Sequence, residues 1–299
     1  MSTKKTAKKS KAAGCLQPHI RWEQAGKGYL VTNDSGHYIS LSKKDFDAFL
    51  SGKLGVKTPL FEELCAKGFV RDRLDFDTLA ARWKKCNSHL EYGPGLHILV
   101  LTLRCNHKCV YCQAGAGGAG ARDTDMSLAT ARKCVDFAFK SPNPGITIEF
   151  QGGEPLLNWK TLEEAVKYAR KKERGSGKEL KLALVSNFSL MTEKKAEFLL
   201  ANEVSICTSL DGPAKLHNLN RPYSGGDSHA QTVRWLAYFK DKHDKQSGGA
   251  RIFKPGALLT VTRHSLSEPQ AIVGEYVRRG LEEVFLRPLS PLGFARTMW

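Results

Sequence analysis

Read from its residues alone, the chain is an α/β protein. A parallel sheet, either doubly wound or closed part-way into a barrel, follows a smaller α+β module. Three observations lead there. Six apolar segments that read as strands alternate with five helical segments at spacings of about 25 to 50 residues. The first of them, LHILVLTLRC at 96–105, is a near-continuous apolar run of the sort that buried parallel strands show. Immediately before it, Tyr92-Gly93-Pro94-Gly95 is a linker signal, and the pattern on its N-terminal side differs.

Taken in order, residues 1–14 carry five lysines and no aromatic residue, and are expected to be a disordered basic tail. The small module is expected over 15–92. Within it GYLVTNDSGHYISLS (28–42) reads as two short strands around an Asn-Asp-Ser-Gly turn. Ser42 caps a helix that puts Phe46, Phe49 and Leu50 on one face, and Gly52 stops it. Pro59 stands in the first turn of a second helix that Gly68 ends. A third helix covers FDTLAARWKKCNSHL (76–90). Strands and short helices in so few residues suggest a winged-helix-like module, which binds DNA or a peptide strand, or serves as structure only. Beyond the linker, strands are expected at 96–105, 145–153, 180–189, 204–212, 256–263 and 284–290. Helices are expected at 127–140, 159–172, 192–202 (capped by Thr192), 229–243 and 268–280 (opened by Pro269).

Composition bounds the function. At 41% hydrophobic and 25% charged residues, wholesale disorder is excluded. No run of eighteen apolar residues exists to cross a membrane as a helix. The first residues lack the apolar core of a secretory signal, so the cytoplasm is the expected compartment. Eight cysteines there point to metal or catalysis rather than disulfides. The net charge is +16, and +11 without the five lysines of the tail. Such a charge suits nucleic acid, an acidic peptide or an anionic cofactor, and equally a solvated basic surface.

In either parallel architecture the site forms at the carboxyl ends of the strands. Those ends carry Cys105, Gln151-Gly152-Gly153-Glu154, Ser186-Asn187, Ser209-Leu210-Asp211-Gly212, Arg263-His264 and Arg287-Pro288. The strongest signal is Cys105, Cys109 and Cys112, three thiols in a loop directly after the first strand. Thiolates suit zinc or an iron–sulfur cluster. A structural zinc site takes four ligands, usually as two separated pairs, whereas Cys15, Cys65, Cys86, Cys134 and Cys207 are scattered singly. His107 could be a fourth ligand, but it sits inside the same tight loop. Three ligands on a four-iron cluster leave one iron open to a substrate.

CxxxCxxC with an aromatic residue, Tyr111, before the last cysteine resembles the signature of the radical S-adenosylmethionine (SAM) superfamily. The resemblance covers roughly 96–293 and implies a partial (β/α)6 barrel. Gly152-Gly153-Glu154-Pro155 resembles the family's GGEP motif, which implies contacts to the SAM amino group. Ser186 and Asn187 stand where the family places a polar contact to the ribose or carboxylate. Ser209-Leu210-Asp211-Gly212-Pro213, then His217 and Arg221, resembles the SLDGP…HDxxR segment of peptide-modifying members, with Asn218 in place of the Asp. The resemblance implies that Ser209 and Arg221 contact the SAM carboxylate, and that Asp211 projects toward the substrate as a catalytic residue.

The SLDGP segment is similar to that of peptide maturases related to anaerobic sulfatase-maturing enzymes. The N-terminal module resembles the winged-helix-like, PqqD-like domain that recognises leader peptides. VFLRPLSPLGFA (284–295) resembles the His-Xaa-Ser system radical SAM maturases. Those relatives carry a cysteine-rich C-terminal SPASM extension, whereas no cysteine follows Cys207, so a short member or a chain truncated before the extension is expected. The resemblance implies a [4Fe–4S] cluster and SAM as cofactors, and reductive cleavage of SAM to a 5′-deoxyadenosyl radical that modifies a precursor peptide or protein. It also implies a reducing partner such as flavodoxin or ferredoxin. Two other classes remain open: a radical SAM enzyme acting on nucleic acid, and a non-catalytic iron–sulfur or zinc-binding interaction protein.

Overall fold

Gly26 and Gly36 take positive φ and turn the chain twice, so three short strands lie antiparallel: β1 (Arg21–Ala25), β2 (Gly28–Thr32) and β3 (Tyr38–Ser42). The structure, a computed structural model, describes residues 20–246, 248–249 and 251–298; the expected basic tail lies outside them. It divides into two compact units, one ending at Glu91 and one beginning at Tyr92.

In the first unit β1 is an addition to the two strands expected. All five of its residues are exposed, so it has no alternating apolar face to betray it; backbone pairing to β2 makes it a strand. The Ser42 side chain accepts from the Asp45 amide and starts α1 (Lys43–Leu50), which buries Phe46 and Phe49. Thr58 caps α2 (Pro59–Ala66), and Gly68 leaves it at φ +73°. Asn33, in the hairpin turn, donates to the Lys67 carbonyl at 2.9 Å and ties that turn to the end of α2. Val31, Leu64 and Phe69 are fully buried at the centre of this unit's core. Asp75 caps α3 (Phe76–Cys86), which ends earlier than expected and gives way to a 3₁₀ turn at Ser88–Tyr92.

The second unit is a curled, six-stranded parallel half-barrel. Its strands are β4 (Leu96–Val100), β5 (Gly145–Gln151), β6 (Glu179–Val185), β7 (Val204–Ser209), β8 (Gly256–Thr260) and β9 (Phe285–Arg287), adjacent in chain order. The crossovers carry α4 (Leu128–Ala138), α5 (Trp159–Glu173), α6 (Glu193–Ala201), α7 (Ala214–Asn220), α8 (Ser228–Asp244) and α9 (Pro269–Arg278); α10 (Ala295–Met298) follows β9. Alternate residues of β5 (Ile146, Ile148, Phe150) are buried in one core with Val135 of α4 and Leu162 and Val166 of α5. The partial barrel implied by the sequence is therefore present.

Two local features differ from expectation. The first strand is not buried on both faces. Leu99 is buried, but Leu96, Ile98 and Val100 are exposed, because β4 is an edge strand with β5 as its single neighbour. The apolar run reflects a half-barrel open on that side, not a central strand. The second is α7, in a stretch for which no element is expected. Its Asn and His residues are poor helix formers, yet His217 and Asn220 are fully buried, and tertiary packing overrides propensity.

Helix α9 also anchors the carboxyl end of β7. Tyr276 is fully buried and its hydroxyl donates to the Leu210 carbonyl at 2.8 Å. Tyr276→Phe is expected to leave that carbonyl unpaired and to cost about 1–2 kcal/mol. Urea unfolding checks this, as a lowered midpoint at unchanged slope.

Candidate active site

Beyond β4 the chain continues alongside the chain beyond β5. Leu101 N–H donates to the Gln151 carbonyl, Gly153 N–H to that of Thr102 (2.8 Å) and Glu154 N–H to that of Arg104 (2.7 Å). The two backbones are close because the facing residues have no side chain. A Cβ on Gly152, which has φ +155°, would lie 2.3 Å from the Thr102 carbonyl oxygen; one on Gly153 would lie 2.2 Å from that of Arg104. The close approach these glycines permit is thus to the chain's own cysteine segment.

The cysteine loop that follows is held on three sides. Cys105 N–H donates to the Gly117 carbonyl, Lys108 N–H to that of Pro222, and Val110 N–H to that of Asn220. Phe294 N–H closes the third side at the Cys112 carbonyl. Arg104 braces the start of the loop. It forms a two-pronged pair with Asp125 (2.8 and 2.7 Å) and donates to the Ala119 and Leu157 carbonyls. Reading the sequence does not single out Arg104, since a buried arginine needs its partner in space to be recognised.

Cys105, Cys109 and Cys112 line one cavity at the carboxyl ends of the strands, with Tyr111 and Arg221 beside them. Gly152 and Gly153 line it from β5, Ser186 and Asn187 from β6, and Ser209 from β7. Gln151, Arg287 and His107 also reach it. Three expected site residues do not.

Asp211, expected to project toward a substrate, is fully buried behind this wall and accepts from the Tyr111 hydroxyl at 2.8 Å. Tyr111 in turn accepts from Arg221 Nη1 at 2.7 Å. Glu154 is likewise fully buried. Its oxygens accept from the Leu156 amide (2.9 Å), the Ser186 hydroxyl (2.9 Å) and the Asn187 amide (2.8 Å), so its carboxylate clamps β5 to β6 instead of facing a ligand. Pro155 is buried at the start of the following 3₁₀ turn. The Asn187 side chain, at the cavity wall, donates to Asn106 and accepts from Ser189, so it steadies the cysteine loop.

The chemistry of the donor set suits an iron–sulfur cluster with SAM. Burial pushes the Cys105 thiol up to about 12 and also raises Cys109. Buried thiols become thiolates when a metal supplies the compensating charge. Among the described residues no three His, Cys, Asp or Glu side chains converge on the point a single ion would need. Three thiols around one cavity therefore suit a multi-iron cluster better than zinc. Burial opposes the charge on Arg221, but Cys109, Tyr111 and Asp211 hold it protonated, and its Nε is shielded from water without a partner among the described residues. A buried guanidinium with a spare donor at the cavity wall fits an anionic group such as a carboxylate. The residues fit both cofactors.

Residues 99–249 match the Radical SAM superfamily. The radical SAM cyclopropyl synthase TigE of Paramaledivibacter caminithermalis is 23% identical over 202 residues, covering 62% of this chain and 42% of that one. The cysteine-type anaerobic sulfatase-maturating enzyme of Clostridium perfringens is 28% identical over 157 residues, covering 49% of this chain and 41% of that one. The solved structure of native anSMEcpe with bound AdoMet and Cp18Cys peptide is similar at a TM-score of 0.54 and 25% identity, covering 67% of this chain and 52% of that one. The chain spans less than half the length of the two curated relatives. With the match extending over half of the chain and containing the whole cysteine loop, the protein belongs to the radical SAM superfamily.

Proposed function

We propose that the chain reductively cleaves SAM at a [4Fe–4S] cluster and uses the 5′-deoxyadenosyl radical to modify a peptide or protein. The observation that carries this reading is the gathering of three thiols, a glycine pair and a buried guanidinium with a spare donor around one cavity. Cys105, Cys109 and Cys112 hold the cluster. Gly152 and Gly153 offer backbone carbonyls to the SAM amino group, and Arg221 pairs with its carboxylate. Ser186, Asn187 and Ser209 supply polar edges. Tyr111 orients Arg221, and Asp211 orients Tyr111, so Asp211 acts as a positioning residue. Glu154 and Pro155 fix the turn that carries the glycines. When bound, the cofactors supply a one-electron cleavage of a sulfonium C–S bond, which no side chain offers.

A peptide substrate is favoured by the sulfatase-maturating relative and by the peptide held in the similar solved structure. The first unit supports the same reading. β3 pairs with β2 alone, and Tyr38 and Ser40 are exposed along it, so an extended leader peptide can add there as a fourth strand. A reduced flavodoxin or ferredoxin supplies the electron, and a chain of net charge +16 suits such an acidic donor. Among the described residues no helix is long and apolar enough to cross a membrane, and the cytoplasm is the compartment we assign.

Cys109→Ala is expected to abolish both the iron–sulfur absorbance and SAM cleavage. Anaerobic reconstitution with iron, sulfide, dithionite and SAM, followed by assay of 5′-deoxyadenosine, checks it; cleavage by the variant would sink the assignment. Arg221→Lys keeps the charge but loses the two-pronged donor, and is expected to weaken SAM binding about tenfold or more. Calorimetric titration of the reconstituted protein reads this directly.

A further inference from the structure

The roles above leave one ring on the cavity wall unused. His107 lies between Cys105 and Cys109, is 5% exposed, and stacks on Tyr223 with 4.6 Å between ring centroids. Its Nδ1 and Nε2 are both shielded from water, and neither has a partner among the described residues. A neutral imidazole carries one N–H in either tautomer, and a buried N–H with no acceptor costs about 1–3 kcal/mol. The ring is held where it is. His107 and Tyr223 pair through their backbones, and a Cβ on Gly225 would lie 2.3 Å from the Tyr223 hydroxyl oxygen. A rigid donor with no acceptor from the chain therefore lines the cavity that the thiols line.

The cavity brings three cysteine sulfurs to the same wall as this donor. The main-chain N–H of His107 already points at Cys105 Sγ at 3.4 Å. We infer that the His107 imidazole donates a hydrogen bond to a sulfur of the cluster held by Cys105, Cys109 and Cys112, and thereby raises its reduction potential without being a ligand. The inference rests on the proposed function. Its physical basis is that a donor at sulfur stabilises the extra negative charge of the reduced cluster.

The test uses the full chain, reconstituted anaerobically, with midpoint potentials taken from an EPR-monitored redox titration. His107→Phe keeps a ring to stack on Tyr223 but removes the N–H, and His107→Gln restores a donor. His107→Phe is expected to keep about four irons and to leave about tenfold less cluster reduced at a fixed donor potential, which is 59 mV for a one-electron couple. His107→Gln recovers part of that loss. An unchanged midpoint in His107→Phe overturns the role. Loss of iron at an unchanged melting temperature overturns it too, by making His107 a ligand.

If the variants do not fold, pulsed EPR of the wild-type chain labelled with ¹⁵N-histidine decides. A weak nitrogen coupling is expected; a strong one means ligation, and none means no contact, each overturning the role. A wild-type chain that takes up no cluster would instead defeat the proposed function, so the two failures are distinct.

Discussion

Two stretches of backbone, 101–104 and 151–154, run closer together than side chains permit, and the site is built on that contact. Gly152 and Gly153 are required there because a Cβ would strike the Thr102 and Arg104 carbonyl oxygens. The contact extends the parallel pairing of β4 and β5 past the end of the sheet. It therefore sets the height at which the cysteine loop leaves the barrel. Arg104 then leans away to Asp125, while Glu154 turns back to collect donors from β6. A backbone contact places the loop, and charged side chains on either side of it keep it there.

Electrostatics at the site follow from burial. Burial raises Asp211 and Glu154 as well as Cys105 and Cys109, so four acidic groups lie where their charged forms are disfavoured. Arg221 is the cation they share: it draws down each of the four, without offsetting burial in any of them. Thiolate formation at Cys105 and Cys109 thus depends on compensating positive charge, which a bound cluster would bring. Uptake of a cluster at this loop would be coupled to proton release for that reason.

The strands of the parallel sheet and most helix caps are legible in the sequence because they are local signals. Ser42, Thr192 and Pro269 each act where a cap or a first-turn proline is expected. The cysteines, the glycines and Arg221 are legible because their chemistry and spacing travel together. What escapes is set by tertiary contact. β1 shows no apolar face, α7 is held by burial against its own propensity, and the apolar run of β4 hides an exposed edge. The direction in which a motif side chain points is equally non-local. Nothing in SLDGP distinguishes an aspartate that meets a substrate from one that braces a tyrosine.

That last distinction changes where selectivity must arise. Asp211, Tyr111 and Arg221 form one chain of hydrogen bonds from the end of β7 into the cysteine loop, and Glu154 forms a second between β5 and β6. Side chains committed to such internal bonds have little left to offer a variable substrate. Groups outside the motifs line the same wall; of these, Gln151 donates to Glu149 on its own strand. Gln151 and Arg287 reach the cavity from the inner faces of β5 and β9, one near each end of the strand order. Under the proposed function, substrate selectivity falls to such positions outside the motifs rather than to motif residues committed to internal bonds.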